Sequence, residues 1–226
     1  MLAMTSEALP DPGATPRTSV RRLPELAVHD REVLHSVLDA GLVAHAALVD
    51  DGQPYAVPVA YAREGERLLL HGSSGSRLFR ALAAGAPACV TVTLLDGLVL
   101  ARSVFESSMN YRSAMVLGRC APVTGADKLT ALQRLSEHLM PGRWSDARPP
   151  NTKELAATTV LGLPLTECSV KVSTGGPDDP PEDLAWPVWA GVVPLEHDFG
   201  VPQPALDLHP ARRPPRYLAR WSVGRS

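Results

Sequence analysis

The sequence predicts a mainly β protein, an antiparallel barrel of six or seven strands with helices at its periphery. Short runs rich in valine, leucine and alanine recur through the middle of the chain. Asp-Gly pairs at 51–52 and 96–97 separate neighbouring runs, as such pairs do in β-hairpins. Helical patterns do not alternate regularly with these runs, which a doubly wound parallel sheet requires. The fold class is therefore mainly β with helices.

Start and stop signals set the predicted elements. Asp30 is suited to cap a helix that ends at Gly41, and the apolar residues between them fall on one face. Pro58 lies inside a strand pattern and has no N–H to donate, so it predicts a strand edge or a bulge. The patterns together predict strands at 42–49, 53–62, 68–72, 87–95, 98–106, 114–123 and 165–173, and helices at 31–40, 76–84, 127–140 and, capped by Asn151, 152–159.

Composition excludes several classes of protein. The 226 residues carry a net charge of −2 with a pI near 6.4, so no basic field attracts nucleic acid or an anionic membrane. No apolar run reaches the roughly eighteen residues of a membrane span, and no secretory signal pattern opens the chain, so we expect a cytoplasmic protein. The three cysteines lie in apolar strings and are predicted to be buried thiols. The seven histidines show no ligand spacing, so no metal site is predicted.

Prolines mark the predicted domain boundaries, because most of the 22 lie towards the two ends of the chain. Residues 1–20 are predicted to be a disordered tail. Residues 21–195 form the predicted barrel domain. Residues 196–226 form an extension rich in proline and arginine, predicted to be solvated.

One turn between a strand and a helix stands out. Residues 71–77, HGSSGSR, follow three leucines and precede a helical pattern. Backbone N–H groups, serine hydroxyls, a guanidinium and the positive end of a helix dipole meet in such a turn, and all of them favour a phosphate monoester. The alternative is an ordinary Gly/Ser turn without a ligand.

The predicted barrel is too small to hold a large ligand inside. A ligand is therefore expected on the outside of the barrel or between two barrels. This expectation predicts a homodimer whose interface forms the pocket.

Four strings in fixed order resemble a known family. They are LVAHAALVDDGQPYAVPVAYAREGERLLLHGSSGSRLFRAL, PACVTVTLLDGLVLARSVFESSMNYRSAMVLGRC, ELAATTVLGLPLTECSVKVSTG and WAGVVPL. They resemble the flavin-nucleotide-binding branch of the pyridoxamine 5′-phosphate oxidase-like split barrels, a branch that includes the nitroimidazole-resistance proteins. The resemblance covers roughly residues 21–195 and implies an FMN-binding split barrel, a homodimer with FMN at the interface.

The resemblance implies two groups of cofactor-binding residues and one strand that lies along the flavin. The first holds the flavin phosphate and comprises His71, Gly72, Ser73, Ser76 and Arg77. The strand 56–61, with Pro58, Val59 and Tyr61, would lie along the isoalloxazine and ribityl chain. The second group reaches the flavin from the same or the partner subunit and comprises Arg102, Asn110, Tyr111, Arg112, Ser113 and Trp189.

Some of these roles have open alternatives. Arg102 would face either the flavin pyrimidine or solvent. Trp189 would pack against the flavin of the partner chain or into its own barrel. His71 would donate a proton to a bound substrate as a catalytic residue, or only hydrogen-bond the cofactor.

The chain departs from the oxidases themselves at several positions. Ala56 and Tyr61 stand where the oxidases have Arg and Lys, and Leu78 stands where they have a basic residue. The basic substrate-phosphate motif after the matching Trp is also absent. These departures predict that the protein is not a true pyridoxamine 5′-phosphate oxidase. The expected function is an FMN-dependent oxidoreductase of a small molecule; the alternatives are a non-catalytic flavin carrier or sensor, and the same barrel with a deazaflavin or haem.

Overall fold

A computed structural model of the chain describes residues 9–221. Residues 1–8 and 222–226, which hold the start of the predicted tail and the end of the predicted extension, lie outside the described residues. The strands are β1 (Ala27–Val28), β2 (Val43–Asp50), β3 (Gln53–Glu64), β4 (Arg67–Ser73), β5 (Pro87–Leu100), β6 (Ser108–Arg119), β7 (Ala121–Pro122), β8 (Thr158–Pro164), β9 (Glu167–Ser173) and β10 (Gly191–Pro194). The helices are α1 (Arg31–Ala40), α2 (Arg77–Ala83), α3 (Gly125–Leu139), α4 (Arg143–Asp146) and α5 (Thr152–Ala157).

The strands form one antiparallel sheet in the order β1-β9-β6-β5-β2-β3-β4-β8-β7, with β10 added to β5. The sheet curls without closing, which makes it a split barrel and confirms the predicted fold class. Strand β3 has two neighbours in succession. Its residues 53–60 pair with β2, and Tyr61–Glu64 pair with β4. Within residues 9–221, therefore, no strand lies beside one edge of the first half of β3.

Two apolar clusters lie on the two sides of β4. Leu68 and Leu70 face the main core together with Leu34 of α1 and Val116 of β6. Leu69, between them in sequence, packs under α3 in a second cluster. Alternate strand residues point to opposite faces of a sheet, so β4 separates the barrel core from a helical layer.

Several predicted elements are confirmed. Asp30 accepts a hydrogen bond from Glu32 N and caps α1, and Asn151 caps α5 in a capping box. Asp51 and Gly52 both have positive φ, 50° and 74°, as a two-residue β-hairpin requires. Pro58 lies in the part of β3 that has β2 on one side only, which agrees with the predicted strand edge.

The prediction of a hairpin at Asp96-Gly97 is wrong. Strand β5 runs through both residues, and the register with β6 shifts between Leu95 and Gly97, which marks a β-bulge. The chain turns instead at residues 101–107. A β-bulge and a tight turn both favour Asp-Gly, so the dipeptide alone does not distinguish them. Strand β8 was also missed, because its TTVLGLP follows the helical pattern of α5 without a break.

The predicted tail at residues 1–20 is corrected for its described part. Gly13 N donates to Cys168 O at 2.7 Å, and the Thr15 hydroxyl donates to Glu167 at 2.9 Å. Arg17 forms an ion pair with the same carboxylate, and Thr18 is buried. These polar contacts hold the N-terminal segment against β9, although the segment contains few apolar residues.

The C-terminal extension also packs on the domain in its described part. A 3₁₀ segment at Arg216–Arg220 places Tyr217 so that its hydroxyl donates to Asp146 at 2.9 Å. Trp221 Nε1 donates to Pro141 O at 3.0 Å. The prediction of a solvated extension therefore fails for the segment around Tyr217 and Trp221, whereas residues 196–214 are exposed to solvent as predicted. Among the described residues, no helix is both long and apolar enough to cross a membrane.

Candidate functional site

The 71–77 turn joins β4 to α2 through a compact hydrogen-bonded loop. The Ser73 hydroxyl accepts from Gly75 N at 3.2 Å, and Ser76 N donates to Ser73 O at 3.0 Å. Ser76 is the N-cap of α2, but its side chain makes no capping hydrogen bond. The Ser76 hydroxyl therefore does not cap the first N–H groups of α2. An anion bound at this position would need those N–H groups to be uncapped.

Arg77 projects from the start of α2 towards the β2–β3 hairpin. Its guanidinium carbon lies 4.6 Å from the centre of the Tyr55 ring, and Nε is 3.0 Å from the Asp50 carboxylate. The Arg77 side chain is largely exposed. The stacking fixes the direction of the guanidinium while its other N–H groups stay accessible to a phosphate.

Gly72 has a packing role in the structure. A Cβ at this position would lie 2.2 Å from the ring of Phe79, whose side chain is in the barrel core. Only glycine lets α2 pack this closely against β4. Any contribution of Gly72 to phosphate binding would come from its backbone.

His71 faces the other side of β4. It lines a cavity of about 390 Å³ with Leu132 of α3, Trp144 of α4, and Arg148 and Glu154. Its Nδ1 is buried and has no hydrogen-bonding partner among the described residues. Burial lowers the pKa of the His71 imidazole below its ordinary value, so the ring is neutral at pH 7.

The predicted turn therefore contains two environments. Arg77 and Ser76 lie towards the β2–β3 hairpin, whereas His71 faces the helical layer. Five residues lie between His71 and Arg77, so the Cα atoms of the two are at most about 22 Å apart.

The β3 residues of the predicted site are divided between the two faces of the strand. Pro58 is exposed on the outer face, while Val59 and Tyr61 are buried in the core. The Tyr61 hydroxyl donates to Leu38 O at 2.5 Å, and its pKa is raised by burial. The side chains of Val59 and Tyr61 are therefore turned away from any ligand outside the barrel. Only backbone groups of these two residues are open to contact with such a ligand.

The second predicted group lies around the far end of the β5–β6 hairpin, and most of its members have partners within the chain. Arg112 donates to both oxygens of Asp96, at 3.0 and 2.8 Å, across the β-bulge. Arg102 donates to the buried carboxylate of Asp179 from both its backbone N–H and its guanidinium. The remaining contacts are Asn110 Nδ2 to Gly175 O at 2.9 Å and Ser113 Oγ to Lys171 O at 3.5 Å, while Tyr111 is half-buried on the outer face.

Trp189 lies on the strap that leads into β10. Its side chain is 65% exposed, and its ring covers Gly191, where a Cβ would be 2.8 Å from the nearest ring atom. Gly191 pairs with Leu100 at the end of β5. This geometry places Trp189 beside the second group and leaves most of its ring uncovered.

One chain does not bring the two groups together. Strands β5 and β2 separate β6, which carries most of the second group, from β3. At about 4.8 Å per strand, the distance along the sheet is on the order of 14 Å.

Two features of the site were not predicted. Tyr55 and Asp50 hold Arg77, and their only sequence signal is their position beside the Asp51-Gly52 hairpin. Trp144 and Arg148 come from a segment predicted as a loop, in which Arg143–Asp146 forms a short helix. Their approach to His71 depends on how α3 packs, so no local pattern indicates it.

Comparisons with known proteins relate the chain to one family. The sequence profile of the family described as pyridoxamine 5′-phosphate oxidase matches residues 30–172. No curated protein matches the sequence.

Similar solved structures extend over more of the chain. The FAD and haem binding protein from Mycobacterium smegmatis is 43% identical with a TM-score of 0.84, and the match covers 87% of this chain and 97% of that one. The flavocytochrome Anf3 from Azotobacter vinelandii is 40% identical with a TM-score of 0.86, covering 91% and 96%. A Bacteroides thetaiotaomicron protein named for resistance to 5-nitroimidazole antibiotics shares the fold at 22% identity and a TM-score of 0.55, covering 65% and 86%.

Proposed function

We propose that the chain, which belongs to the pyridoxamine 5′-phosphate oxidase family, is a flavoprotein. It would be a homodimer of split barrels that binds a flavin nucleotide between its subunits. It would act as an oxidoreductase on a small molecule. The bound flavin would supply the electron-transfer chemistry. The chain's own residues would bind it, orient it and exclude water.

The arrangement at the start of α2 carries the flavin proposal. Arg77 is held by Tyr55 with its N–H groups accessible, and the hydroxyl of Ser76 makes no capping contact. These donors would hold the flavin phosphate. Tyr55 belongs to the half of β3 that has an open edge, so unpaired backbone groups lie next to the proposed phosphate site. The flat ring of a flavin suits such an edge, which offers backbone donors and acceptors along its length.

The outer face of the sheet supports the homodimer. Val43 and Val49 of β2 are half or more exposed, and Pro54, Ala56 and Pro58 on the same face of the neighbouring strand β3 are exposed as well. Small and apolar side chains on neighbouring strands make a flat surface of the kind found at subunit interfaces. A second copy on this face would also bring the second group, with Trp189, to the flavin of its partner.

The relatives favour one form of the nucleotide. The sequence resemblance predicts FMN, whereas the 43% identical Mycobacterium smegmatis protein is named for FAD. FAD is therefore the flavin that we expect, with FMN as the alternative. Oxidation of pyridoxamine 5′-phosphate is not proposed, because Ala56 and Leu78 replace basic residues of the oxidase pattern.

A second cofactor is proposed from the same relatives. One is named as an FAD and haem binding protein and the other as a flavocytochrome. The cavity beside His71 fits a haem in one respect, since it presents an imidazole that makes no hydrogen bond to a described residue. We therefore propose that the protein binds haem in addition to flavin.

An absorbance spectrum of the purified protein tests both cofactors. Bands near 370 and 450 nm that dithionite bleaches would support flavin, and a separate Soret band would support haem. Chromatography of the released cofactor would distinguish FAD from FMN. A protein that remains colourless after incubation with FAD and FMN would overturn the flavin proposal.

Turnover separates an oxidoreductase from a carrier or sensor. Bleaching of the flavin by NADH or NADPH, followed by reoxidation with a quinone or nitro compound, would support the enzyme. A flavin that binds fully but stays oxidised with both donors would favour the carrier or sensor.

A further inference from the structure

We infer that His71 is the axial ligand of a haem held in the cavity between β4 and the helices α3, α4 and α5. The inference rests on the proposed haem binding and names its site. It separates that site from the flavin site, which would lie at Arg77 and the open edge of β3.

His71 is the histidine whose surroundings suit this role. An iron-binding imidazole needs a free ring nitrogen in an apolar cavity. His29 Nδ1 lies 2.7 Å from Pro12 O, His35 Nε2 lies 3.0 Å from a Glu66 oxygen, and His138 Nε2 lies 2.8 Å from Gly41 O. These three rings already have partners.

The remaining histidines of the described chain lie at the surface. His45 is exposed on the outer face of the sheet, and His197 and His209 are exposed in the C-terminal extension. His71 alone among the described histidines lines a cavity without a hydrogen bond from either ring nitrogen to a described residue, since His209, which lines a groove in the extension, accepts from Ala211 N.

The cavity walls supply the contacts that a porphyrin needs. Leu132 and Trp144 offer apolar and aromatic surface, and the volume of about 390 Å³ lies within the range of small-molecule sites. Because Nδ1 is closed to solvent, the nitrogen that coordinates iron would be Nε2.

The charged groups at the cavity are Arg148 and Glu154. The Arg148 guanidinium donates to both Glu154 oxygens, at 2.9 and 2.5 Å, and both side chains are well exposed. A haem propionate would bind Arg148 in competition with Glu154. Arg148 would therefore strengthen haem binding, and Glu154 would weaken it.

The flavin features point to a different place. Arg77 contacts Asp50 and Tyr55 on the β2–β3 hairpin, and none of these residues lines the His71 cavity. A substitution at His71 is therefore expected to remove haem while flavin stays bound.

The test compares the full-length wild type with His71→Gln and His71→Ala, each produced with added haem precursor. We expect a Soret band in the wild type, at least a tenfold loss of bound haem in both variants, and unchanged flavin per chain. Addition of imidazole to His71→Ala is expected to restore the haem spectrum, which a merely structural role of His71 would not produce. His197→Ala, at an exposed histidine of the C-terminal extension, is the matched control and should keep its haem.

Trp144 gives a second measurement that does not depend on the ligand substitution. Haem bound beside Trp144 would quench its fluorescence, so the quenching on haem addition should be smaller in Trp144→Phe than in the wild type.

The outcomes separate the two levels of the proposal. A wild-type protein that binds flavin but no haem would overturn the proposed haem binding, and this site with it. Haem bound to the wild type and equally to both His71 variants would overturn the site alone. The His71→Gln variant could also lose flavin together with haem while it unfolds at the same temperature as the wild type. That result would contradict the separation of the two sites.

Discussion

The guanidinium of Arg77 lies over the ring of Tyr55, with 4.6 Å between the guanidinium carbon and the ring centre. This contact joins the start of α2 to the half of β3 that has an open edge. It aims the positive charge at the place where a flavin phosphate would lie.

Substitution of Arg77 tests that site. A charge-assisted hydrogen bond contributes about 1.5–3 kcal/mol, so Arg77→Ala should weaken flavin binding roughly 10- to 100-fold. Titration of the apoprotein with flavin, followed by fluorescence quenching, measures the change. Arg80→Ala removes a cation from the same helix and is the control that should bind flavin normally. Equal affinity in Arg77→Ala and Arg80→Ala would show that the phosphate binds elsewhere.

Tyr61 distinguishes a core role from a cofactor role. Tyr61→Phe removes the hydroxyl that donates to Leu38 O inside the core and leaves that carbonyl unpaired. We expect a loss of about 1–3 kcal/mol in the free energy of unfolding, measured in urea, with unchanged flavin content. A variant that keeps its stability but loses flavin would support the sequence-based assignment of Tyr61 to the cofactor site.

The homodimer proposal is tested on the outer face of β2. Val49 is 60% exposed, so Val49→Lys should cost the folded monomer little, but it would bury a charge in a subunit interface on this face. Light scattering after size-exclusion chromatography should give a dimer for the wild type and a monomer for the variant. The flavin content should fall along with the dimer.

Val201→Lys provides the matched control, since Val201 is equally apolar and 83% exposed in the C-terminal extension. It should remain dimeric. A wild-type protein that elutes as a monomer with flavin bound would rule out a site shared between subunits.

Acid should release the N-terminal segment. Hydrogen bonds from Arg17 and Thr15 lower the pKa of the Glu167 carboxyl below its ordinary value of about 4.5. A carboxyl whose pKa is lower in the folded state stabilises that state above the unfolded pKa, and the contribution disappears as pH falls through the folded pKa. Hydrogen exchange at the Gly13 amide, which donates to Cys168 O, reports the change.

We expect the protection factor of the Gly13 amide to fall as the pH drops below about 4.5 in the wild type. In Glu167→Gln, protection should already be lower at neutral pH and should change little with acid. Protection that is independent of pH in the wild type would show that Glu167 does not hold the segment.

Local signals in the sequence determined much of the fold. Asp30, the Asp51-Gly52 pair and Asn151 lie where caps and a hairpin turn require their side chains or their backbone conformation, and these elements agree with the structure. Each signal acts over a few residues, through a hydrogen bond or a φ value that the dipeptide itself prefers. The strand–turn–helix at 71–77 was found for the same reason.

Tertiary structure decided which way the side chains of that turn face. His71 and Arg77 are the two ends of a single seven-residue motif, and the sequence predicts one phosphate site for both. In the folded chain, Phe79 fills the space at Gly72, α3 and α4 cover His71, and Tyr55 attracts Arg77 to the hairpin. These contacts join segments up to about eighty residues apart, so no local pattern contains them. The same physical reason explains the β-bulge at Asp96, because only pairing with β6 keeps β5 extended where the dipeptide equally favours a turn.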